Sequence, residues 1–166
     1  STLTEALSDI AVTDNDSLVM YDGTYYESAN ISKSVNITTV NGPESTFILA
    51  DPNVTTNEVL KLSANATVSL EGFTISASDR RCMRVYTGNL TLDNVVFTQC
   101  HYNGNGPALR INGGNTSTII ENSVFDDNRS VAADGTFTNK GAHIFSSGPT
   151  TVTNTVFSNG YAQEAG

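Results

Sequence analysis

Tryptophan is absent from this chain, cysteine occurs twice, and only 15% of the 166 residues are charged. Each scarcity excludes something. Without Trp the strongest sugar-stacking side chain is missing, and Tyr21, Tyr25, Tyr26, Tyr86, Tyr102 and Tyr161 are the available substitutes. Basic residues number 8 against 17 acidic ones, for a formal net charge of -9, and they are scattered. Nucleic-acid binding needs clustered Lys and Arg to displace counterions from phosphate, so it is disfavoured. The same sign opposes docking on anionic membranes. No run approaches the ~18 apolar residues of a membrane span, so insertion is not expected. Leu, Glu, Lys and Ala are too few for a stack of helices. The chain opens on Ser1 with no hydrophobic signal region, which reads as a processed mature chain or a fragment.

What is present instead is Ser, Thr, Asn and Gly, a mixture suited to strands broken by frequent turns. Four segments align without gaps: Val68 to Ile75, Leu90 to Phe97, Thr118 to Phe125 and Thr150 to Phe157. Their third position is aliphatic (Leu70, Leu92, Ile120, Val152) and their last is large and apolar (Ile75, Phe97, Phe125, Phe157). The fifth is Gly72, Asn94, Asn122 or Asn154. Offsets of 22, 28 and 32 residues separate the units, so their cores agree while the connections vary.

Two apolar runs flanking a residue that tolerates a left-handed backbone predict strand, sharp corner, strand. Stacking such corners gives an aliphatic core column, a Phe/Ile core column and an Asn corner ladder, with side chains able to bond along it. A third strand is expected before each unit: Val59 to Leu62, Met83 to Val85, Ala108 to Ile111 and Ala142 to Phe145. Leu18 to Tyr25, Ile31 to Val40 and Thr46 to Leu49 read as earlier, less regular coils. Leu3, Ala6, Leu7 and Ile10 recur at helical spacing behind a Thr2-to-Glu5 capping box, which predicts a short helix over the open end of the first coil. No such cap is legible after Phe157, so the last coil's edge is expected to be bare. An antiparallel sandwich is the alternative, although hairpins do not require positional identity across four units.

Asp22-Gly23-Thr24-Tyr25, Ile31 to Ile37 and the glycine at Asn41-Gly42 resemble the opening coils of pectin-lyase-like right-handed β-helix proteins. The later coils are similar to the repeats of polymorphic outer membrane proteins, which pair a Gly-Gly-Ala-Ile strand with Phe-x-x-Asn. Phe125-Asp126-Asp127-Asn128 matches the second motif and Gly141-Ala142-His143-Ile144 the first loosely. Phe97 to Cys100 and Phe157 to Gly160 depart from it. The resemblance implies a single all-β domain over 1–166, a right-handed parallel β-helix (solenoid). About six short coils follow a capping helix, each buried by its neighbours. The cap occupies 1–11, the irregular first coils 18–62 and the regular repeats 63–166. Both polysaccharide enzymes and adhesins share the fold, so function rests on sites.

No catalytic constellation is legible. Asp126 and Asp127 are adjacent on an extended chain and so point to opposite faces. Asp79-Arg80-Arg81 reads as a surface salt-bridge turn. His101 and His143 lie on different repeats without a metal-ligand partner, and His143 is expected to face solvent. Arg110-Ile111-Asn112 lacks the lysine of the hydrolase motif it comes closest to. No metal or cofactor is called for.

Eight N-glycosylation sequons occur, at Asn15, Asn30, Asn36, Asn53, Asn65, Asn89, Asn115 and Asn128. That is roughly twice what composition predicts, and an Asn/Thr-rich surface is the plain alternative. Cys82 and Cys100 bracket neighbouring corners of adjacent coils, so either a disulfide or two buried thiols fits. The expected function is a secreted, N-glycosylated structural or adhesive module, extracellular or at the cell surface. It would carry attached glycans, self-associate through coil ends or faces, and in its sharpest form build a filament. A polysaccharide-binding or polysaccharide-cleaving protein is the alternative. Ice binding is weaker, since Thr151 and Thr153 have no matching columns above them.

Overall fold

A computed structural model of the chain describes residues 2–113, 117–130 and 140–162. Helix α1 (Leu3–Ser8) is closed by the expected capping box: the Thr2 hydroxyl accepts the Glu5 N–H, and the Glu5 carboxylate accepts the Thr2 N–H at 2.8 Å. Leu3 and Leu7 are buried, and the N–H groups of Leu3 and Thr4 donate to the carboxylate of the buried Glu27. The helix thus sits on the first strands with its orphan amides satisfied. It is shorter than its apolar spacing predicts. The backbone turns extended at Asp9, and Ile10 is left 95% exposed.

The first sheet runs β1 (Asp16–Met20), β4 (Val35–Thr39), β7 (Thr67–Glu71), β10 (Asn89–Asp93), β14 (Ser117–Glu121) and β18 (Thr150–Thr153). The second runs β2 (Gly23–Glu27), β5 (Thr46–Ala50), β8 (Thr74–Ser76), β11 (Val96–Thr98), β15 (Val124–Asp126) and β19 (Val156–Ser158). The third holds β3 (Ala29–Ile31), β6 (Glu58–Leu62), β9 (Arg81–Val85), β13 (Leu109–Ile111) and β17 (Ile144–Ser146). A short fourth sheet stacks β12 (His101–Tyr102), β16 (Arg129–Ser130) and β20 (Tyr161–Ala162).

All pairing between these strands is parallel, and no two strands consecutive in the chain share a sheet. The chain visits the sheets in turn and lies down beside its own earlier strand on each return. Register carries the repeat directly: Leu70 pairs with Leu92, Leu92 with Ile120, and Ile120 with Val152. Ile75, Phe97, Phe125 and Phe157 pair in the same way. The core lies between the sheets, where Ile31, Leu62, Leu70, Val85, Leu92, Ile111 and Ile120 are fully buried. Fully burying one such side chain stabilises the fold by about 1.5–3 kcal/mol.

Two of the expected core positions are not core. Val152 is 41% and Phe157 45% exposed, because among the described residues no strand lies beyond β18 and β19 to cover them. The strand expected over Ala142 to Phe145 begins at Ile144 instead. Among the described residues no helix is long and apolar enough to cross a membrane.

Candidate functional site

The corner residues share one backbone conformation, with φ of 83° at Gly72, 51° at Asn94, 48° at Asn122 and 47° at Asn154. Each corner N–H is thereby turned along the stack: Gly72 donates to Asp93, Asn94 to Glu121, and Asn122 to Thr153. Glycine is needed at the first corner, since a Cβ there would lie 2.5 Å from Thr39 Oγ1. The side-chain ladder is mixed rather than purely asparagine. Asn154 donates to Asn122, but Asn122 donates to Asp93 at 2.8 Å. A second column of left-handed residues, Gln99, Asp127 and Asn159, turns the chain out of the second sheet. Sequence reasoning missed it, because Gln is an unusual left-handed residue and hides the column.

Cys82 and Cys100 form a disulfide, with their Cα atoms 5.6 Å apart. Beside it Asn128 is fully buried; its Oδ1 accepts the Cys100 N–H at 3.0 Å and its Nδ2 donates to the Phe97 carbonyl at 3.0 Å. Asn128 therefore ties two successive passes of the chain together. Its Nδ2 also lies 3.0 Å from His143 Nδ1. His143 does not face solvent as its place in the sequence predicts. It packs against Phe125 and Phe157, whose rings continue a stack from Phe97 with centroids 4.8 and 5.1 Å apart. Burial holds its pKa below the ordinary histidine value, with the Asp126 charge opposing.

The sequon asparagines divide by exposure. Asn15, Asn30, Asn36, Asn53, Asn65 and Asn89 have exposed side chains, while Asn115 lies outside the described residues. Asn128 has no accessible amide in the folded chain, so the expectation of a glycan there is corrected by its burial and its hydrogen bonds. Asn15, Asn36, Asn65 and Asn89 sit at or beside the starts of β1, β4, β7 and β10, one per pass along a single margin of the first sheet.

The acidic pair does not converge. Asp126 accepts from Ser158 and Asn159 at 2.7 Å each, whereas Asp127 pairs with Arg129 at 2.8 Å. The Ser158 and Asn159 hydrogen bonds hold the Asp126 carboxyl below its usual range, opposite to the direction a proton donor needs. Asp126, Asp127, Arg129, Asn159, Gly160 and Tyr161 line a wide depression of about 750 Å³ across the last two described passes.

The Asp79-Arg80-Arg81 segment is not the surface turn its composition suggests. Asp79 is exposed and forms a two-pronged pair with Arg80, at 2.8 and 2.9 Å, which holds its carboxyl below the usual range. The arginines themselves are buried. Arg80 reaches the Val54 carbonyl at 2.7 Å, and Arg81 is clamped by Glu58 at 3.0 Å and the Gly106 carbonyl at 3.1 Å. Among the described residues no three His, Cys, Asp or Glu side chains gather as a metal site. No family model, curated protein or solved structure matches this chain.

Proposed function

We propose that this chain is a secreted, N-glycosylated structural or adhesive module, a right-handed parallel β-helix of the pectin-lyase-like type whose rod presents surfaces rather than a reaction centre. The observation that carries this reading is the stacking itself: parallel strands in register over six passes of the first sheet, tied by a disulfide between passes. Such a stack is stiff along its axis because each pass is buried by the next. The Cys82–Cys100 bridge suits an oxidising, extracellular setting. Six exposed sequon asparagines supply the acceptors for a glycan coat.

In its sharpest form the module is a filament subunit. Val152, Val156, Phe157 and Tyr161 are exposed on the last described pass, where β18, β19 and β20 have a neighbouring strand on one side only among the described residues, a surface suited to joining another chain. Intact mass and electron microscopy on natively sourced material test this together. Mass above 17.6 kDa in sugar-sized steps, with fibres in the same sample, is the expected result. An unmodified, monodisperse monomer would overturn it.

A polysaccharide-binding reading is favoured by one feature, the depression that places Asp126 and Arg129 beside Tyr161. Tyr offers the sugar a stacking face, and the Asp126 carboxylate and Arg129 guanidinium offer hydrogen bonds to hydroxyls. Retention on an immobilised polysaccharide column, lost on Tyr161→Ala, would establish that reading.

A further inference from the structure

Opposite charges are sorted onto two ladders on matching passes of the chain. On the third sheet Lys61, Arg84 and Arg110 are register partners across β6, β9 and β13. On the first sheet Glu71, Asp93 and Glu121 are register partners across β7, β10 and β14. Both sets alternate with fully buried neighbours (Leu60, Leu62, Met83, Val85, Leu109, Ile111; Leu70, Leu92, Ile120) and therefore point outward. Partners on adjacent strands lie about 4.8 Å apart, so each ladder holds like charges against one another, an arrangement that costs stability in the isolated chain.

Compensation inside the chain is incomplete. Glu58 serves Arg81 at 3.0 Å and Arg84 at 3.5 Å. Among the described residues Lys61 and Arg110 have no ion pair, and the buried Nε atoms of Arg84 and Arg110 have no acceptor. Arg84 lies over the Tyr86 ring at 4.1 Å and Arg110 over Phe145 at 5.8 Å, so the basic strip is bordered by aromatic faces. On the acidic side Asp93 accepts from Asn122 at 2.8 Å and Glu121 from Thr153 at 3.3 Å, and Glu71 is exposed. None of the three pairs with a cation among the described residues.

We propose that a second copy of this chain docks side by side on the first, its Glu71–Asp93–Glu121 ladder against Lys61–Arg84–Arg110. This rests on the structural-module reading and extends it from the ends of the rod to its flanks. Equal strand spacing is the reason a second copy fits: once one pair forms, the other two fall into register. The ladders occupy different sheets, so each copy keeps one ladder free after pairing through the other. The contact is heterologous and propagates into rows rather than closing as a dimer.

Charge reversal tests this on the full chain. Sedimentation at about 20 mM salt is expected to show species above the monomer mass (17.6 kDa of polypeptide plus any attached glycan) that dissociate by about 0.5 M salt. The triple variant Lys61→Glu, Arg84→Glu, Arg110→Glu, and separately Glu71→Lys, Asp93→Lys, Glu121→Lys, should each lower the self-association constant at least tenfold. Single exposed pairs contribute about 2–5-fold each. An equimolar mixture of the two variants should restore association, because one then carries two acidic ladders and the other two basic ones. Arg84 also touches Glu58, so the pair Lys61→Glu and Arg110→Glu alone, checked by circular dichroism, guards against loss of fold.

A monomer at every salt concentration, association indifferent to salt and to both reversals, or a folded mixture that stays monomeric would each overturn the proposal. So would a monomer whose basic ladder instead retains a soluble polyanion such as dextran sulfate. Fibres that persist in both charge variants would leave end-to-end assembly standing while removing the lateral contact.

Discussion

The segments Thr118 to Phe125 and Thr150 to Phe157 follow the same pattern and occupy the same register columns, yet their fates differ. Ile120 and Phe125 are fully buried, whereas Val152 is 41% and Phe157 45% exposed. Their backbones agree, with left-handed corners at Asn122 and Asn154 and parallel pairing between β14 and β18. The difference is position in the stack. An apolar side chain in this architecture is buried by strands on both sides, and β18 and β19 have a described neighbour on one side only. Repeat sequence therefore specifies the local turn and strand, while burial belongs to the neighbouring pass.

The sharpest way to break this comparison is to truncate the two phenylalanines. Phe125→Ala should lower unfolding free energy by about 3–5 kcal/mol, since it removes the middle ring of the stack and leaves a cavity. Phe157→Ala should cost under about 1 kcal/mol. Equal losses in denaturant titrations would mean that Phe157 is covered in solution. That result would favour a partner on the last pass.

The disulfide comes next. Cys82→Ala with Cys100→Ala should cost roughly 3 kcal/mol, because the bridge closes a loop of about 19 residues in the unfolded chain. The expected readout is a lower midpoint of thermal unfolding, reproduced when the unmodified protein is heated with reductant. Asn128→Ala should cost about 1–3 kcal/mol by stranding the Cys100 N–H and the Phe97 carbonyl. Asn154→Ala, at an exposed corner of the last pass, should cost less. Glycopeptide mapping sharpens the same contrast: Asn89 is expected to carry sugar and Asn128 to carry none.

The smallest effect is a pH dependence. The His143 pKa is lowered by burial, so the unfolded chain takes up its proton at a higher pH than the folded one. Stability contributed by neutral His143 is therefore fully present above the unfolded value near 6.5 and is lost as pH falls through the lower folded value. His143→Gln should flatten that part of the stability profile. An unchanged profile would assign the slope to another group.

Much of the scaffold was legible because the repeat is positional. Leu70, Leu92 and Ile120 announced one column, and Gly72, Asn94, Asn122 and Asn154 the corner, since few residues adopt a left-handed backbone cheaply. The capping box at Thr2 and Glu5 was legible for the same kind of local reason. Less legible were groups whose roles depend on residues distant in sequence. Asn128 reads as a sequon and as the Asn of a Phe-x-x-Asn motif, and only its burial and its hydrogen bonds to Cys100 and Phe97 show it bridging two passes. Arg80 and Arg81 read as a surface turn, but both are buried, and Arg81 meets Glu58 there. Gln99 gave no sign of the second corner.

By itself the sequence determined the strand–corner–strand unit and the acceptor motifs, because these depend on residues within a few positions of one another, and the recurrence of that unit pointed to parallel stacking. Tertiary structure alone decided which apolar rings are core, which asparagine is inaccessible and which charges stand in ladders. Those properties belong to strands brought side by side from passes 22 to 32 residues apart, and no local pattern encodes whether a neighbouring pass is there.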